Sequence, residues 1–151
     1  MTDETFPADR ANRIADAVET IERNVSQLRT HQQLSHDEYT RPGEQDRRDA
    51  VERKFVKLAE AMIDTASELC KQERETLPEQ RKERIRILAD ENIIDESLAE
   101  RLRAALGFRD VLAHTYGPIV NDDIVYEALQ NDLERYVDFV ETVDCYLNQD
   151  V

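Results

Sequence analysis

The sequence predicts an all-α bundle of about five helices, and three observations carry that prediction. Only three glycines and four prolines interrupt 151 residues rich in Ala, Leu, Glu and Arg, a composition that favours helix. Apolar residues recur at alternating steps of three and four, the period of a helix with one buried face. No stretch alternates in the manner of a strand, and neither a glycine-rich phosphate loop nor an internal repeat is present. A chain of this length is read as one domain, residues 1–151, able to bury a single core.

The first helix is expected from about Asp9, as N-cap, to Leu34, with Ile14, Val18, Ile21, Val25 and Leu28 facing inward. The polar "SHDEYTRPGEQD" with its Pro42-Gly43 turn signal reads as the longest loop. A second helix runs from about Gln45 to Gln72 on Val51, Phe55, Leu58, Met62, Thr65 and Leu69, Met62 being a core filler. Pro78 opens a shorter third helix that ends near Glu91 and buries Ile85, Leu88 and Ala89. Asn92 suits a left-handed C-cap, Ile93 and Ile94 plug the corner, and Asp95 caps the fourth helix. That helix carries Leu98, Leu102, Ala105, Leu106 and Leu112 to a stop near Thr115, before Gly117-Pro118. Asn121 or Asp122 caps a single last helix whose stripe is Ile124, Ala128, Leu133, Tyr136, Val137, Val140, Val143 and Leu147.

Thirty-four acids against 20 bases leave a net charge of −14. Sixteen bases are arginine and only Lys54, Lys57, Lys71 and Lys82 are lysine. The acids are spread along the whole chain, which suits a halophilic archaeon's salty cytoplasm better than a patch for one basic partner. Cys70 and Cys145 both read as buried small hydrophobes in a reducing compartment. The acidic N-terminus has no apolar leader, and no apolar run approaches the ~20 residues of a membrane helix. A cytoplasmic protein is expected, with no metal-ligand spacing and no cofactor.

One stretch, "GFRDVLAHTYGPIVNDD", gathers residues with converging chemistry: Arg109, Asp110, His114 and Tyr116. Residues four apart on a helix are neighbours, so Asp110 can orient the His114 ring and favour its protonated form. Arg109 offers a planar fork for phosphate oxygens. Tyr116 lies about two helical turns on and returns to the same side. From spacing alone the cluster reads either as a site or as helix-end residues meeting the C-terminal dipole and a packing neighbour. His31 and His36 read as surface residues near the loop. The runs Arg81, Lys82, Arg84, Arg86 and Arg47, Arg48, Arg53 read either as solvated faces or as holders of RNA phosphates.

"RDVLAHTY" resembles the R-x4-6-H-x-Y signature of HepT-like proteins, toxins of the HEPN superfamily. "DAVERKFVKLAEAMIDTASEL", "LADENIIDESLAERLRAALGFRDVLAH" and "VYEALQNDLERYVDFVETV" resemble that family's second helix, motif helix and last helix, in order from Asp49 onward. The resemblance implies a compact HEPN-type up-and-down bundle that forms homodimers and cleaves RNA without a metal. Arg109 would then stabilise the scissile phosphate and His114 would move protons as the ribose 2′-hydroxyl attacks. Asp110, in a supporting role, stands where relatives often carry Asn, which adds repulsion toward phosphate. Tyr116 corresponds to the tyrosine to which an MntA-type minimal nucleotidyltransferase antitoxin transfers AMP. RNA and that antitoxin are the partners implied; neither DNA nor a membrane is. The alternatives are a non-catalytic module that docks the nucleotidyltransferase, and an acidic structural bundle.

Overall fold

The computed structural model describes residues 7–113 and 121–149. Seven α-helices and one 3₁₀ turn follow one another among them, with no strand. They are α1 (Ala8–His31), α2 (His36–Tyr39), the 3₁₀ turn Pro42–Glu44, α3 (Gln45–Arg74), α4 (Arg81–Asp90), α5 (Glu96–Ala113), α6 (Asp122–Asn131) and α7 (Glu134–Leu147). The all-α class stands as read from the sequence. Two helices exceed the expected count, because the first loop winds into α2 and the last helix divides.

α1 and α3 form the spine. They run antiparallel, since Arg10 near the start of α1 reaches Glu68 and Gln72 near the end of α3. Ile14, Ile21, Val25 and Leu28 of α1 are buried against Val51, Phe55, Leu58, Met62 and Leu69 of α3. These are the predicted stripes, apart from Val18, which is only partly buried. Asp9 does not cap α1; Pro7 holds that position without a side-chain hydrogen bond, and Asp9 lies in the first turn, where its charge complements the helix dipole.

The loop between them is pinned by an unexpected device. Arg48, expected on a surface face, is 5 % exposed. Its Nη1 donates to the carbonyls of Tyr39 at 2.8 Å and Arg41 at 2.9 Å, and its Nε lies 3.4 Å from Asp122 at the start of α6. Burial without such partners would be costly, so a buried arginine marks a structural joint. His36 completes the joint, with Nε2 2.5 Å from Asp123 and its ring edge-on to Tyr126.

α4 starts three residues later than Pro78 suggested. Arg84 donates from Nε to the Pro78 carbonyl and from Nη2 to that of Glu79, which holds this segment as a non-helical lead-in. The α4–α5 corner follows the sequence closely. Asn92 has φ 60°. The Asn92 amide donates to Ala89 and the Ile93 amide to Leu88, the paired bonds of a Schellman stop. Asp95 Oδ1 then accepts the Leu98 amide at 2.7 Å and starts α5.

Asn121 caps α6 by accepting the Asp123 amide at 2.8 Å. The predicted single last helix breaks at residues 132–133, although the buried stripe Val125, Leu129, Leu133, Tyr136, Val140 and Val143 keeps one phase across the break. Val125, Ala128 and Leu129 go inward on α6, while Ile124 is 56 % exposed. α7 buries Tyr136, Phe139, Val140 and Val143 and leaves Leu147 at 38 % exposure. Cys70 is buried as expected; Cys145 is exposed, a correction, because it lies about 200° around α7 from the buried Val143.

Candidate active site

α5 brings the candidate residues to the edge of the core by continuing its buried stripe with charge. Leu98, Leu102, Ala105 and Leu106 are buried, and the next turn on that face holds Arg109 and Asp110, four residues after Ala105 and Leu106. Neither can stay unpaired where an apolar side chain would otherwise sit. Arg109 Nη2 donates to Glu60 Oε2 of α3 at 2.8 Å, and Nη1 donates to Asp110 Oδ1 at 3.3 Å. Arg81 Nη2 of α4 donates to the same Asp110 oxygen at 2.9 Å. One charge chain, Glu60–Arg109–Asp110–Arg81, therefore ties three helices together at the end of α5.

The protonation states follow. The Glu60 hydrogen bond, opposed by partial burial and reinforced by Asp110, raises the Arg109 pKa, so the guanidinium stays charged. Partial burial resists ionisation of Asp110, but the hydrogen bonds and charges of Arg81 and then Arg109 outweigh it and hold the carboxyl below its ordinary value. The Arg109 side chain is 25 % exposed. Its Nε is buried with no hydrogen-bond partner among the described residues. The fork is thus oriented from two sides while part of it still faces outward, the condition for donating to an incoming phosphate.

His114 and Tyr116 lie outside the described residues. The expected pairing of Asp110 with His114 therefore also falls outside the described residues. Arg81 was read as part of a solvated or phosphate-holding run; it is instead the anchor of Asp110. Arg84 turns inward to Ser67 and to backbone carbonyls, and Arg86 pairs with Glu83, leaving no continuous basic face there. Sequence reasoning missed Glu60 altogether. The signal available was its place on the exposed stripe Arg53, Lys57, Glu60, Asp64 of α3, but nothing in the sequence ties that stripe to α5.

Beside Glu60, a groove of about 610 Å³ runs between α1, α3 and the start of α4. Arg13, Lys57, Lys71 and Arg84 line it together with Asp16, Glu60, Asp64 and Glu68. Among the described residues, no group of His, Cys, Asp and Glu side chains is arranged to hold a metal ion, and no helix is long and apolar enough to cross a membrane. Burial raises the Cys70 thiol to a pKa of about 11, so it is no nucleophile. The Asp123 hydrogen bond raises the pKa of His36, which serves the joint with α6.

Comparison with known proteins bears on this geometry. The model of the family "Ribonuclease HepT-like" matches residues 14–143. The mRNA nuclease HepT of Shewanella oneidensis is 28 % identical over 95 residues, covering 63 % of this chain and 71 % of that protein. A crystal structure of a mutant MntA–HpeT toxin–antitoxin superposes with a TM-score of 0.76 at 24 % identity, covering 89 % of this chain and 98 % of the matched one. A structure of the tri-AMPylated Shewanella oneidensis HEPN toxin in complex with MNT antitoxin superposes at 0.71 and 24 % identity, covering 88 % and 97 %. Both structural likenesses establish the HEPN-type fold.

The charge chain makes a pH prediction. Because the folded Asp110 carboxyl has a depressed pKa, its ion pairs add stability that is complete above the unfolded value of about 3.9 and is lost as pH falls through the folded value. Asp110→Asn is expected to melt below wild type at neutral pH, with the gap closing as the medium is acidified past that range. Thermal melts of both proteins across pH check this; a gap that stays constant into acid would show that the carboxylate charge contributes nothing.

Proposed function

The chain belongs to the HepT-like ribonuclease family, and from that premise we propose that it is a metal-independent endoribonuclease toxin of a HepT–MntA pair. The observation that carries the reading is Arg109: a charged, oriented and partly exposed guanidinium five residues before His114 in an R-x4-H-x-Y motif. The relatives support the class of activity, since one is named an mRNA nuclease and others are toxins crystallised with an antitoxin.

In the proposed reaction the 2′-hydroxyl of a ribose attacks the adjacent phosphorus. His114 takes or relays the hydroxyl proton, and the bond to the 5′-oxygen of the next nucleotide breaks. That oxygen leaves as a 5′-hydroxyl after protonation, and a 2′,3′-cyclic phosphate remains. Arg109 offsets the charge that builds on the phosphorane oxygens. One arginine and one histidine are few for both proton transfers, which favours a site shared by two protomers across a two-fold axis. Apolar exposure supports such a dimer. Val111 is 58 % and Ile124 is 56 % exposed, and Ile124 lines a shallow groove with Ala104 and Phe108 where α5 meets α6.

Tyr116 is the proposed acceptor of AMP from a nucleotidyltransferase partner. A bulky adenylate seven residues from Arg109 would add a phosphate able to compete for that arginine. A non-catalytic docking module would need the same motif but no turnover, so cleavage separates the two readings.

Arg109→Ala and His114→Ala are each expected to lower cleavage of single-stranded RNA at high salt by about 10²–10⁴-fold, with cyclic-phosphate ends formed by wild type alone. If wild type and both variants leave RNA intact equally, the nuclease reading is lost. The paired change Val111→Glu and Ile124→Glu should give a monomer in analytical ultracentrifugation and abolish cleavage; a dimer of unchanged mass would place the interface elsewhere. After co-expression with a MntA-type partner and ATP, the peptide bearing Tyr116 should gain the mass of AMP. Silencing with an unmodified peptide would mean simple blockage by the bound partner.

A further inference from the structure

Most cations of this acidic chain are spoken for. Arg10 and Arg13 bond Glu68, Arg29 bonds Glu134, Arg74 bonds Glu91 and Arg101 bonds Asp138. The lysine-bearing part of α3 departs from that rule. Arg53, Lys54 and Lys57 fall within five consecutive residues, and among the described residues none has a carboxylate or carbonyl partner; Arg41 and Lys82 also lack one but stand apart from other such cations. Of the acids near them, Asp49 accepts from Gln45 at 2.8 Å and Glu60 holds Arg109, while Glu52, next to Arg53 in the chain, is half-buried and feels the charges of Asp49, Asp122 and Arg48. Of the cations lining the groove between α1, α3 and α4, Lys57 alone is without a partner, since Arg13 and Lys71 share Glu68 and Arg84 is held by Ser67 and two carbonyls.

A concentration of unpaired like charge costs free energy unless something anionic shares the surface. In a chain of net charge −14 with 34 acids to choose from, leaving three adjacent cations unmatched is unexpected for a merely solvated face. His31 of α1, half-buried beside this part of α3, has its pKa lowered first by burial and then by the charges of Arg47 and Lys54.

The position matters as much as the charge. On α3, Arg53, Lys57 and Glu60 follow at steps of four and three, so they share one exposed face. Glu60 is the residue that touches Arg109. At ~1.5 Å rise per residue, Arg53 stands roughly 10 Å along α3 from that contact. A nucleic-acid strand places one phosphate per ~3.4 Å of axis or more when extended, so this reach covers more than one phosphate.

We infer that Arg53, Lys54 and Lys57 form a subsite for the phosphates of single-stranded RNA that flank the phosphate held at Arg109. The inference rests on the ribonuclease reading for the identity of the polymer, and it adds the direction in which the strand leaves the site: along α3 toward its N-terminus. The side chains supply charge and no base-reading groups, so the subsite holds strands of any sequence and gives affinity instead of specificity.

The test uses the full chain and a fluorescein-labelled single-stranded RNA of about ten nucleotides with 2′-O-methyl riboses, which cannot be cleaved. Binding is followed by anisotropy across a salt titration for wild type, for R53Q/K54Q/K57Q, and for K82Q/R86Q on α4 as control. Three lost phosphate contacts should reduce the slope of log affinity against log salt by about 2 and weaken binding roughly tenfold or more at the lowest salt. The control should keep the wild-type slope. Cleavage of a dinucleotide, whose single phosphate sits at Arg109 with none flanking it, should be the same in wild type and the triple variant, while cleavage of longer RNA shows a raised KM with kcat unchanged. A wild-type slope in the triple variant, or an equal loss in the control, overturns the subsite. Equal loss of dinucleotide cleavage also overturns it, because the residues would then act on the reacting centre or the fold. Should wild type cleave nothing while the slope still falls by about 2, the subsite stands and the nuclease reading fails. Should the triple variant bind RNA normally but lose a MntA-type partner, the surface belongs to a protein.

Discussion

Everything distinctive about this bundle depends on charge being placed where a core stripe would otherwise continue. α5 buries Leu98, Leu102, Ala105 and Leu106 and then presents Arg109 and Asp110 on the same side. The helix docks against α3 and α4 at less cost when those charges are met, because a partly desolvated ion is destabilising without a partner. Glu60 and Arg81 meet them, one from each neighbouring helix. The fold and the site are therefore not separable. The same contacts that let the last turn of α5 approach the spine also set the direction of the guanidinium. Exposed ion pairs usually contribute little; this one is partly buried and chained, so its value is chiefly geometric.

The acidic body places a second demand on that arginine. At an ionic strength of 0.15 M, fields reach about 8 Å, and a surface of net charge −14 opposes any polyanion; at 1 M they reach only about 3 Å. Local chemistry then outweighs the distant carboxylates. This is why the few unmatched cations carry more information than the many acids. Arginines already paired across helices, such as Arg10 with Glu68 and Gln72, or held by a neighbouring carboxylate, such as Arg74 by Glu91, serve the fold. Lys57 and its neighbours have no such employment.

Much of the fold was legible because local rules and tertiary packing agreed. The α4–α5 corner is the clearest case: Asn92 takes the left-handed conformation, Ile94 is buried and Asp95 caps the next helix, each from its own side-chain chemistry. Reading failed where a long-range partner overrode a local signal. Arg48 looked like part of a charged run, yet the carbonyls of residues 39 and 41 and the carboxylate of Asp122 internalise it. Ile124 looked like core, yet it sits one position off the buried stripe that runs through Val125, Leu129 and Leu133 and faces outward. Within the site, Arg109 and Asp110 could be chosen from motif and spacing. Glu60 could not, because its contact spans 49 residues of sequence and one carboxylate among 34 carries no mark.

Glu60 also has a consequence for how the site works on the ribonuclease reading. A carboxylate at 2.8 Å occupies one donor of the arginine that must receive phosphate. It orients the fork, as Asp110 does from the other side, but it also stands in for the substrate's charge. An incoming phosphate must either share the guanidinium with Glu60 or displace it. Sharing is feasible because a guanidinium has five N–H donors in a fixed plane and only two are used by these carboxylates. Displacement would release a side chain that is already 47 % exposed and would remove one of the two constraints on Arg109. In both cases the resting site holds little net positive charge of its own, so attraction must come from beyond it. The unmatched cations on α3 lie one to two helical turns away and supply that attraction without disturbing the pairing that holds the arginine in place.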